Sequence, residues 1–313
     1  MMESILDTLR AVLGADGVRA SVPLAPLTSF GIGGPADYLA DARSIDELVA
    51  AVAVARASGI PVTLLGGGSN VLVADRGIRG LVVRVRADEI ALVGGGDVRA
   101  DAGVTINGLV RWTITRGLGG LEAWAGTPGT VGGAIHGNAH YGGHLISELL
   151  TTVSLLRGDG TVVDLPSDQM AFGYDASRLQ ATDEILLRAV FKVQRGGDPD
   201  VLRTTARRSL AHRKATQPLH LPSAGCAFQN PDPARDRVPE GMPWSAGALI
   251  DRAGLKGRTV GGASVSPVHA NFIVNQGGAS AADVRALVEM CRREVSARCG
   301  VELRDEIVYL GEY

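Results

Sequence analysis

Aromatic side chains are scarce in this sequence, at 4% of 313 residues, and the formal net charge is only −2. Proteins that bind nucleic acid usually carry a basic surface and aromatic platforms on which bases stack, so we expect no nucleic-acid partner. Lysine is limited to Lys192, Lys214 and Lys256. An anionic ligand would therefore be held by arginine, by backbone amides or by helix N-termini.

Long apolar runs and paired cysteines are also missing. The longest apolar stretch, at 48–57, is far shorter than the ~20 residues of a membrane span, and the first residues lack the basic start of a signal peptide. The three cysteines do not follow CxxC spacing, so they indicate neither a disulfide framework nor a zinc site. We expect a soluble, cytoplasmic protein that binds no metal.

Glycine, in contrast, is abundant: the chain has 42 glycines and no collagen-like or low-complexity repeat. Helical periodicity occurs at 3–14 and from Ser44, a predicted N-cap, to Gly59, a predicted stop. Strands with occasional helices favour an α+β fold over a doubly wound parallel sheet. The strands of the first half are predicted at 61–65, 81–86, 97–103, 152–165 (a hairpin that turns at 158–160) and 185–193.

A shift in composition at 195–199 predicts a second unit, which Pro199 opens with a cationic helix. Further elements are predicted as a strand at 226–230, a helix at 245–254, a strand at 271–275, a helix at 280–298 and a closing strand at 301–311. We expect the closing strand to return to the first domain and to carry side chains to the domain interface, where ligand sites are common.

Two glycine-rich loops could hold a phosphate. GGGSN at 66–70 follows a buried strand, and GTPGTVGGA lies at 126–134. Neither is a Walker A loop, and the first alone is more often a plain turn between strands. Two loops rich in backbone amides suit a pyrophosphate with a nucleoside on each side. Together they favour a dinucleotide over a mononucleotide.

Three kinds of side chain have a functional and a structural interpretation. His136, His140 and His144 could share a helix face as metal ligands, but the intervening glycines argue against that helix. Cys226 could be reactive or an inert buried thiol. Glu306 alternates with apolar residues, as a solvated strand carboxylate also would.

Six segments of the sequence resemble the UDP-N-acetylenolpyruvoylglucosamine reductase family, whose flavoenzymes complete UDP-N-acetylmuramate in peptidoglycan synthesis. They are TSFGIGGPADY (28–38), VTLLGGGSNVLVADRGIRGLV (62–82), GLEAWAGTPGTVGGAIHGNAHYGG (120–143), RKATQPL (213–219), PSAGCAFQNP (222–231) and AGALIDRAGLKGRTVGGASVSPVHANFIVN (246–275). Because they occur in the family's order over nearly the whole chain, the resemblance is much more specific than one glycine loop.

The resemblance implies a fold and a domain division. It predicts an N-terminal segment at 1–32, a FAD-binding domain of the vanillyl-alcohol-oxidase (PCMH) type in two α+β subdomains at 33–197, a smaller α+β substrate-binding domain at 198–300, and a strand at 301–313 that returns to the active site. The short stretch between Tyr174 and Arg188 lacks the inserted tyrosine-bearing loop of one branch, so the chain is similar to the compact branch.

The resemblance also implies a reaction. NADPH would reduce a noncovalently bound FAD, and the enolpyruvyl UDP-sugar would then take a hydride on its vinyl carbon and a proton on the adjacent carbon. Cys226 stands where the family has a serine as proton donor, and a thiol is the stronger acid. Glu306 matches the family's catalytic glutamate. Predicted FAD contacts are Gly66, Gly67, Gly68, Ser69, Asn70, Thr127, Pro128, Gly129, Gly132 and Gly133, and predicted substrate contacts are Tyr174, Gln217 and Asn230.

One position departs from the family pattern. Asp175 follows Tyr174 where an arginine normally steadies the enolate, and an acid facing the substrate carboxylate would repel it. We hypothesise that Arg178 takes the electrostatic role, while Asp175 pairs with Arg178 or faces solvent. We expect a monomer.

Two other classes of protein stay open. One is an FAD-dependent oxidase or dehydrogenase of a small hydroxy compound, which would need no domain with SAGCAFQNP. The other is a degenerate, non-catalytic sugar-nucleotide-binding relative. Asp175 favours this second alternative, whereas Cys226 and Glu306 argue against it.

Overall fold

The computed structural model describes the backbone of residues 2–313 and the side chains from Ile5 onward. The chain forms two compact units, and each is built from separate segments. The first contains the chain up to Ser21 together with Asp37–Gly67 and Gly80–His212; the second contains Val22–Ala36, Gly68–Arg79 and Arg213–Tyr313.

The elements of regular structure are numbered in chain order. The helices are α1 (Met2–Leu13), α2 (Ile45–Ala57), α3 (Ile106–Ile114), α4 (Val131–His136), α5 (Pro199–Thr216), α6 (Ala246–Arg252) and α7 (Ala281–Cys299). The strands are β1 (Val18–Pro23), β2 (Pro35–Ala42), β3 (Val62–Leu65), β4 (Val71–Val73), β5 (Ile78–Val85), β6 (Ile90–Leu92), β7 (Val98–Asp101), β8 (His140–Tyr141), β9 (His144–Leu145), β10 (Leu150–Leu156), β11 (Val162–Pro166), β12 (Ile185–Phe191), β13 (Ser223–Cys226), β14 (Thr259–Val260), β15 (Ala263–Val265), β16 (Phe272–Asn275) and β17 (Val308–Leu310).

The first unit contains two larger sheets and a two-stranded hairpin of β8 with β9. One has the strand order β1-β2-β5-β3 and includes a parallel pair of β3 with β5. Helix α2 begins as predicted, because the Ser44 hydroxyl accepts a hydrogen bond from the Glu47 amide at 3.1 Å. Its buried side chains, among them Leu48 and Val52, join the core of this unit. The first glycine-rich loop follows directly after β3 of this sheet.

The second sheet of the first unit has the strand order β11-β10-β12-β7-β6 and is antiparallel throughout. The predicted hairpin is present, since Leu156 of β10 pairs with Val162 of β11. The hydroxyls of Thr105 and Thr130, the residues just before α3 and α4, cap the N-termini of these helices. Phe191 and Leu109 are fully buried between these elements. The second glycine-rich loop enters α4.

The second unit has a small sheet of order β13-β16-β15-β14, against which α7 packs, and α6 packs against α7. Ser280 and Asp283 form a capping box at the start of α7, and the Asp75 carboxylate accepts hydrogen bonds from two further amides of its first turn. The apolar faces of these elements form a separate core. A parallel pair, β17 with β4, completes the unit.

Two predicted strands are wrong in their extent. The strand predicted at 226–230 is observed at Ser223–Cys226, because Gly225 has φ +82° and the register against β16 shifts there. The closing strand predicted at 301–311 is observed only at Val308–Leu310. The residues before Val308 form backbone hydrogen bonds with the segment that follows Cys226. A single continuous strand over 301–311 therefore does not form.

The two compact units do not follow the predicted domain ranges. The second unit includes Gly68–Arg79, which lies within the range predicted for FAD binding. It also includes Val22–Ala36, most of which lies before that range. The closing strand does return to earlier sequence, since β17 pairs with β4, but β4 is part of the same second unit. Within residues 2–313, no helix has both the length and the apolar character needed to cross a membrane.

Candidate active site

In the first unit the two glycine-rich loops are interlocked. A Cβ atom placed on Gly66 would lie 2.5 Å from the Thr130 hydroxyl, and one placed on Gly67 would lie 2.7 Å from the Gly129 Cα. Real side chains do not fit at such distances. Backbone alone can therefore occupy this contact, which we call the cradle.

Backbone amides differ between the two loops. Within the described residues, the amides of Gly67 and Gly129 donate no backbone hydrogen bond, so both are available to a ligand. The amide of Gly132 already donates to the Ala102 carbonyl at 2.8 Å, and that of Gly133 to the Thr130 hydroxyl at 3.4 Å. These two amides already have partners within the chain, and the roles of Gly132 and Gly133 toward FAD stay predictions.

The cradle opens into a cavity of about 600 Å³. A volume of this size is typical of ligand sites. Its polar lining is rich in arginine: Arg84, Arg86, Arg111 and Arg116, together with Trp112, Thr105 and Thr130. The Arg116 guanidinium lies 3.9 Å from the centroid of the Trp112 ring. Among the described side chains, Arg86 and Arg111 form no ion pair or hydrogen bond, which leaves their charge for a ligand.

Sequence reasoning missed this cavity. Its arginines come from β5, from α3 and from the residues just after each of them, and these two stretches are separated along the chain by β6 and β7. The signal available in the sequence was the scarcity of lysine. It indicates that arginine binds an anion but does not identify which arginines do so.

The residues on the first loop that follow Gly67 belong to the second unit: Gly68, Ser69 and Asn70.

The hypothesis for Asp175 is wrong. Arg178 is bound through two hydrogen bonds, of 2.8 and 2.9 Å, to the carboxylate of Glu184. Asp175 neither pairs with Arg178 nor faces solvent: its side chain is 10% exposed and its Oδ1 lies 3.0 Å from Nδ1 of His140. The Tyr174 hydroxyl lies 3.5 Å from the other ring nitrogen of His140. Asp175 therefore forms a local histidine pair in the first unit.

The three histidines do not share a helix face. Helix α4 ends at His136, while His140 lies in β8 and His144 in β9. Gly137, Gly142 and Gly143, which lie between the histidines, interrupt the helix, as the sequence indicated. Burial lowers the pKa of His136. His144 pairs at the surface with Glu148.

In the second unit Cys226 and Glu306 lie on neighbouring stretches of backbone. Cys226 is the last residue of β13 and is half-buried. The next residue, Ala227, accepts a hydrogen bond from the Glu306 amide at 2.9 Å, and the Asn70 side chain donates to the Glu306 carbonyl at 2.9 Å. One backbone network thus fixes both predicted catalytic residues, together with a residue of the first glycine motif.

The other predicted residues have structural contacts as well. The Asn230 side chain accepts a hydrogen bond from the Ala246 amide at 3.1 Å and so supports the start of α6. Gln217 follows α5 and is half-buried. Thr127 is buried, and Pro128 beside it is exposed at the second loop. Their roles toward a ligand stay predictions.

Asn271 positions the segment after Cys226 and was missed from the sequence. Its side chain accepts from the Phe228 amide at 3.0 Å and donates to the Phe228 carbonyl at 2.7 Å, and it is 3% exposed. It therefore takes the place of a strand partner where the regular pairing of β13 has ended.

We expect Asn271→Ala to lower stability by about 1–3 kcal/mol, because it leaves the buried amide and carbonyl of Phe228 unpaired. Thermal unfolding followed by circular dichroism should show a lower melting temperature. Gln276→Ala, at an exposed position just after β16, is the control. Equal melting temperatures for the two variants would contradict the positioning role of Asn271.

Comparison with known proteins identifies the class to which these two units belong. Residues 36–166 match the FAD binding domain family, and residues 217–310 match the family described as UDP-N-acetylenolpyruvoylglucosamine reductase, C-terminal domain. The chain thus combines a FAD-binding domain with a second domain characteristic of one group of reductases. The predicted α+β fold with a FAD-binding domain is confirmed.

The full-length relatives then define the family. The chain is 39% identical to the UDP-N-acetylenolpyruvoylglucosamine reductase of Synechococcus sp. (strain WH7803), over 99% of this chain and 98% of that protein. It is 40% identical to that of Geobacter metallireducens over the whole length of both. The crystal structure of the reductase from Thermus caldophilus is similar with a TM-score of 0.77 and 33% identity, covering 94% of this chain and 99% of that one. The chain belongs to the UDP-N-acetylenolpyruvoylglucosamine reductase family, as its motifs predicted.

Proposed function

We propose that this protein is an NADPH-dependent flavoenzyme that reduces UDP-N-acetyl-3-O-(1-carboxyvinyl)-glucosamine to UDP-N-acetylmuramate in peptidoglycan synthesis. The close contact of Gly67 with Gly129 is the observation that carries the proposal, because only bare backbone fits there and bare backbone allows the close approach of a phosphate-bearing cofactor. Full-length similarity to reductases of this family supports the choice of substrate.

FAD, when bound, accepts a hydride from NADPH and supplies it to the vinyl group of the substrate. The residues of the first unit fit this cofactor: open amides at Gly67 and Gly129 suit its pyrophosphate, and the adjoining cavity offers arginine side chains for the same anionic portion. Their task is to bind and orient the cofactor. Gly66, Thr127 and Pro128 complete the proposed contacts, along with Gly68, Ser69 and Asn70 of the second unit.

The proton comes from the second unit in this proposal. Cys226 donates it from Sγ to the carbon next to the substrate carboxylate, and Glu306 acts beside that carboxylate. The paired backbone at Ala227 and Glu306 supports the assignment, because it fixes the two residues relative to each other. Asn230 and Gln217 are proposed contacts of the UDP-sugar, as is Tyr174 of the first unit.

We further propose a cytoplasmic monomer whose partners are the UDP-sugar and NADPH, with no nucleic acid. The net charge of −2 provides no electrostatic attraction for a polyanion. Peptidoglycan precursors that carry UDP are water-soluble, which agrees with a location in the cytoplasm. Light scattering during gel filtration tests the monomer.

Sequential addition of substrates tests the function. The purified protein should show a flavin spectrum that NADPH bleaches without oxygen and that the enolpyruvyl UDP-sugar then restores. Restoration by oxygen but not by the sugar nucleotide would support the alternative oxidase. Binding of the sugar nucleotide with no restoration of colour would support the degenerate relative.

We expect the FAD to be noncovalent. His136 is the one conceivable attachment point that the motifs offer, and the family resemblance implies no link there. Acid precipitation should therefore release all flavin absorbance into the supernatant. Yellow colour that remains in the protein pellet would contradict this expectation.

A further inference from the structure

Asp175, His140 and Tyr174 form a chain of contacts in the first unit. Oδ1 of Asp175 lies 3.0 Å from Nδ1 of His140, and Nε2 of His140 lies 3.5 Å from the Tyr174 hydroxyl. The rings of His140 and Tyr174 are also in contact, with centroids 4.8 Å apart and planes tilted by 35°. Both nitrogens of one imidazole are thus directed at partners from a single turn.

The turn that carries Asp175 has an unfavourable backbone. Asp175 has φ +51°, which is uncommon for a residue with a side chain. A bridge between Gly173 and Ala176 closes the turn, and the Gln180 side chain donates to the Asp175 carbonyl at 2.9 Å. This conformation directs the carboxylate inward to His140. Strain of this kind is common where a side chain must be aimed.

The carboxylate is buried and only partly satisfied. The side chain of Asp175 is nine-tenths buried, and Oδ2 forms no hydrogen bond with the described residues. Among those residues, the ring of His140 is the side chain that pairs with the Asp175 carboxylate, since Arg178 is held by Glu184. A buried carboxylate is costly without a charged partner. A protonated His140 meets that need.

We propose that Asp175 and His140 form a relay that makes Tyr174 a hydrogen-bond donor to the substrate, an inference that rests on the function proposed above. His140 carries both ring protons, donating from Nδ1 to Asp175 and from Nε2 to the Tyr174 oxygen. The phenolic proton of Tyr174 is then directed to the substrate carboxylate, where negative charge develops. No covalent bond of the relay forms or breaks, and the proton added to carbon still comes from Cys226.

The same hairpin contains a matched control. His144 lies on β9, beside β8, and its Nδ1 is 3.2 Å from the Glu148 carboxylate. Its side chain is 74% exposed, against 30% for His140. The chemical pair is therefore the same, but it is solvated and has no tyrosine partner among the described ring contacts.

Rapid-mixing kinetics of the two half-reactions test the relay. We expect His140→Gln, Asp175→Asn and Tyr174→Phe each to slow reoxidation by the enolpyruvyl UDP-sugar about tenfold, while reduction by NADPH stays within twofold of the parent. His140→Gln combined with Tyr174→Phe should be no slower than the slower single variant, because the groups act as a unit. Additive losses, or a His140→Gln rate within twofold of His144→Gln, would overturn the relay.

A spectroscopic test separates the relay from the function. In protein labelled with ¹⁵N-histidine, both ring nitrogens of His140 should have the chemical shifts of protonated nitrogen, and Asp175→Asn but not Glu148→Gln should change them. An unprotonated Nε2 would overturn the relay, whatever the activity. If the parent protein fails to reduce the sugar nucleotide, the proposed function fails and the nitrogen shifts alone decide whether the histidine pair is built as described.

Discussion

Cys226→Ala should leave the oxidation of NADPH by the flavin nearly unchanged. It should slow reoxidation of the flavin by the enolpyruvyl UDP-sugar ~10²–10⁴-fold, the usual contribution of a positioned general acid. Cys226→Ser should retain much of the second half-reaction, because a hydroxyl keeps a proton in the same place. Rapid mixing with detection of flavin absorbance measures both steps. The asymmetry between the steps is the expected signature of a proton donor.

The surroundings of Cys226 differ from those of a structural cysteine. Cys291 is 1% exposed inside the core of the second unit, and burial raises the pKa of its thiol to about 12. Cys226 lies instead at a strand end, half-buried, directly after Gly225. A thiol in that position can reach a ligand, whereas Cys291 cannot.

Cys299→Ala is the matched control, since Cys299 is also half-buried but lies at the end of α7. It should leave both half-reactions unchanged. If Cys226→Ala instead damaged both half-reactions equally, or lowered the melting temperature as much as a core substitution would, Cys226 would be a packing residue.

Local signals allowed much of this fold to be predicted. Ser44 and Ser280 cap helices that begin where the sequence indicated, because a cap depends only on residues within one turn. The turn at 158–160 closes the expected hairpin for the same reason. The two glycine motifs were recognisable because their residue types are restricted by backbone contact.

Contacts between residues distant in sequence could not be predicted. A turn with a left-handed residue at Asp175 brings His140 and Asp175 together. The sequence did not predict this turn, because glycine is the usual residue in that conformation. The exchange of Gly68–Arg79 into the second unit depends on the pairing of β4 with β17, at the other end of the chain. Hydrophobic pattern specifies a strand, but not its partner.

Gly67→Ala should weaken FAD binding ~10–100-fold. A Cβ atom on Gly67 would lie 2.7 Å from the Gly129 Cα, which is backbone and cannot rotate away as a flexible side chain would. Overpacking of this kind costs ~1–3 kcal/mol, and about 1.4 kcal/mol corresponds to a tenfold change in affinity. The variant should therefore lose flavin during gel filtration, measured as the ratio of flavin to protein absorbance.

Gly94→Ala is the control, because a Cβ atom at Gly94 meets no atom within 4 Å and its φ lies outside the left-handed range. This variant should retain FAD with the parent affinity in a titration followed by quenching of flavin fluorescence. The melting temperature of both variants without FAD separates lost binding from lost folding. If folded Gly67→Ala bound FAD as tightly as Gly94→Ala, the contact between the two glycine loops would not be the cofactor cradle, and the arginine-lined cavity beside it would have to bind the pyrophosphate without them.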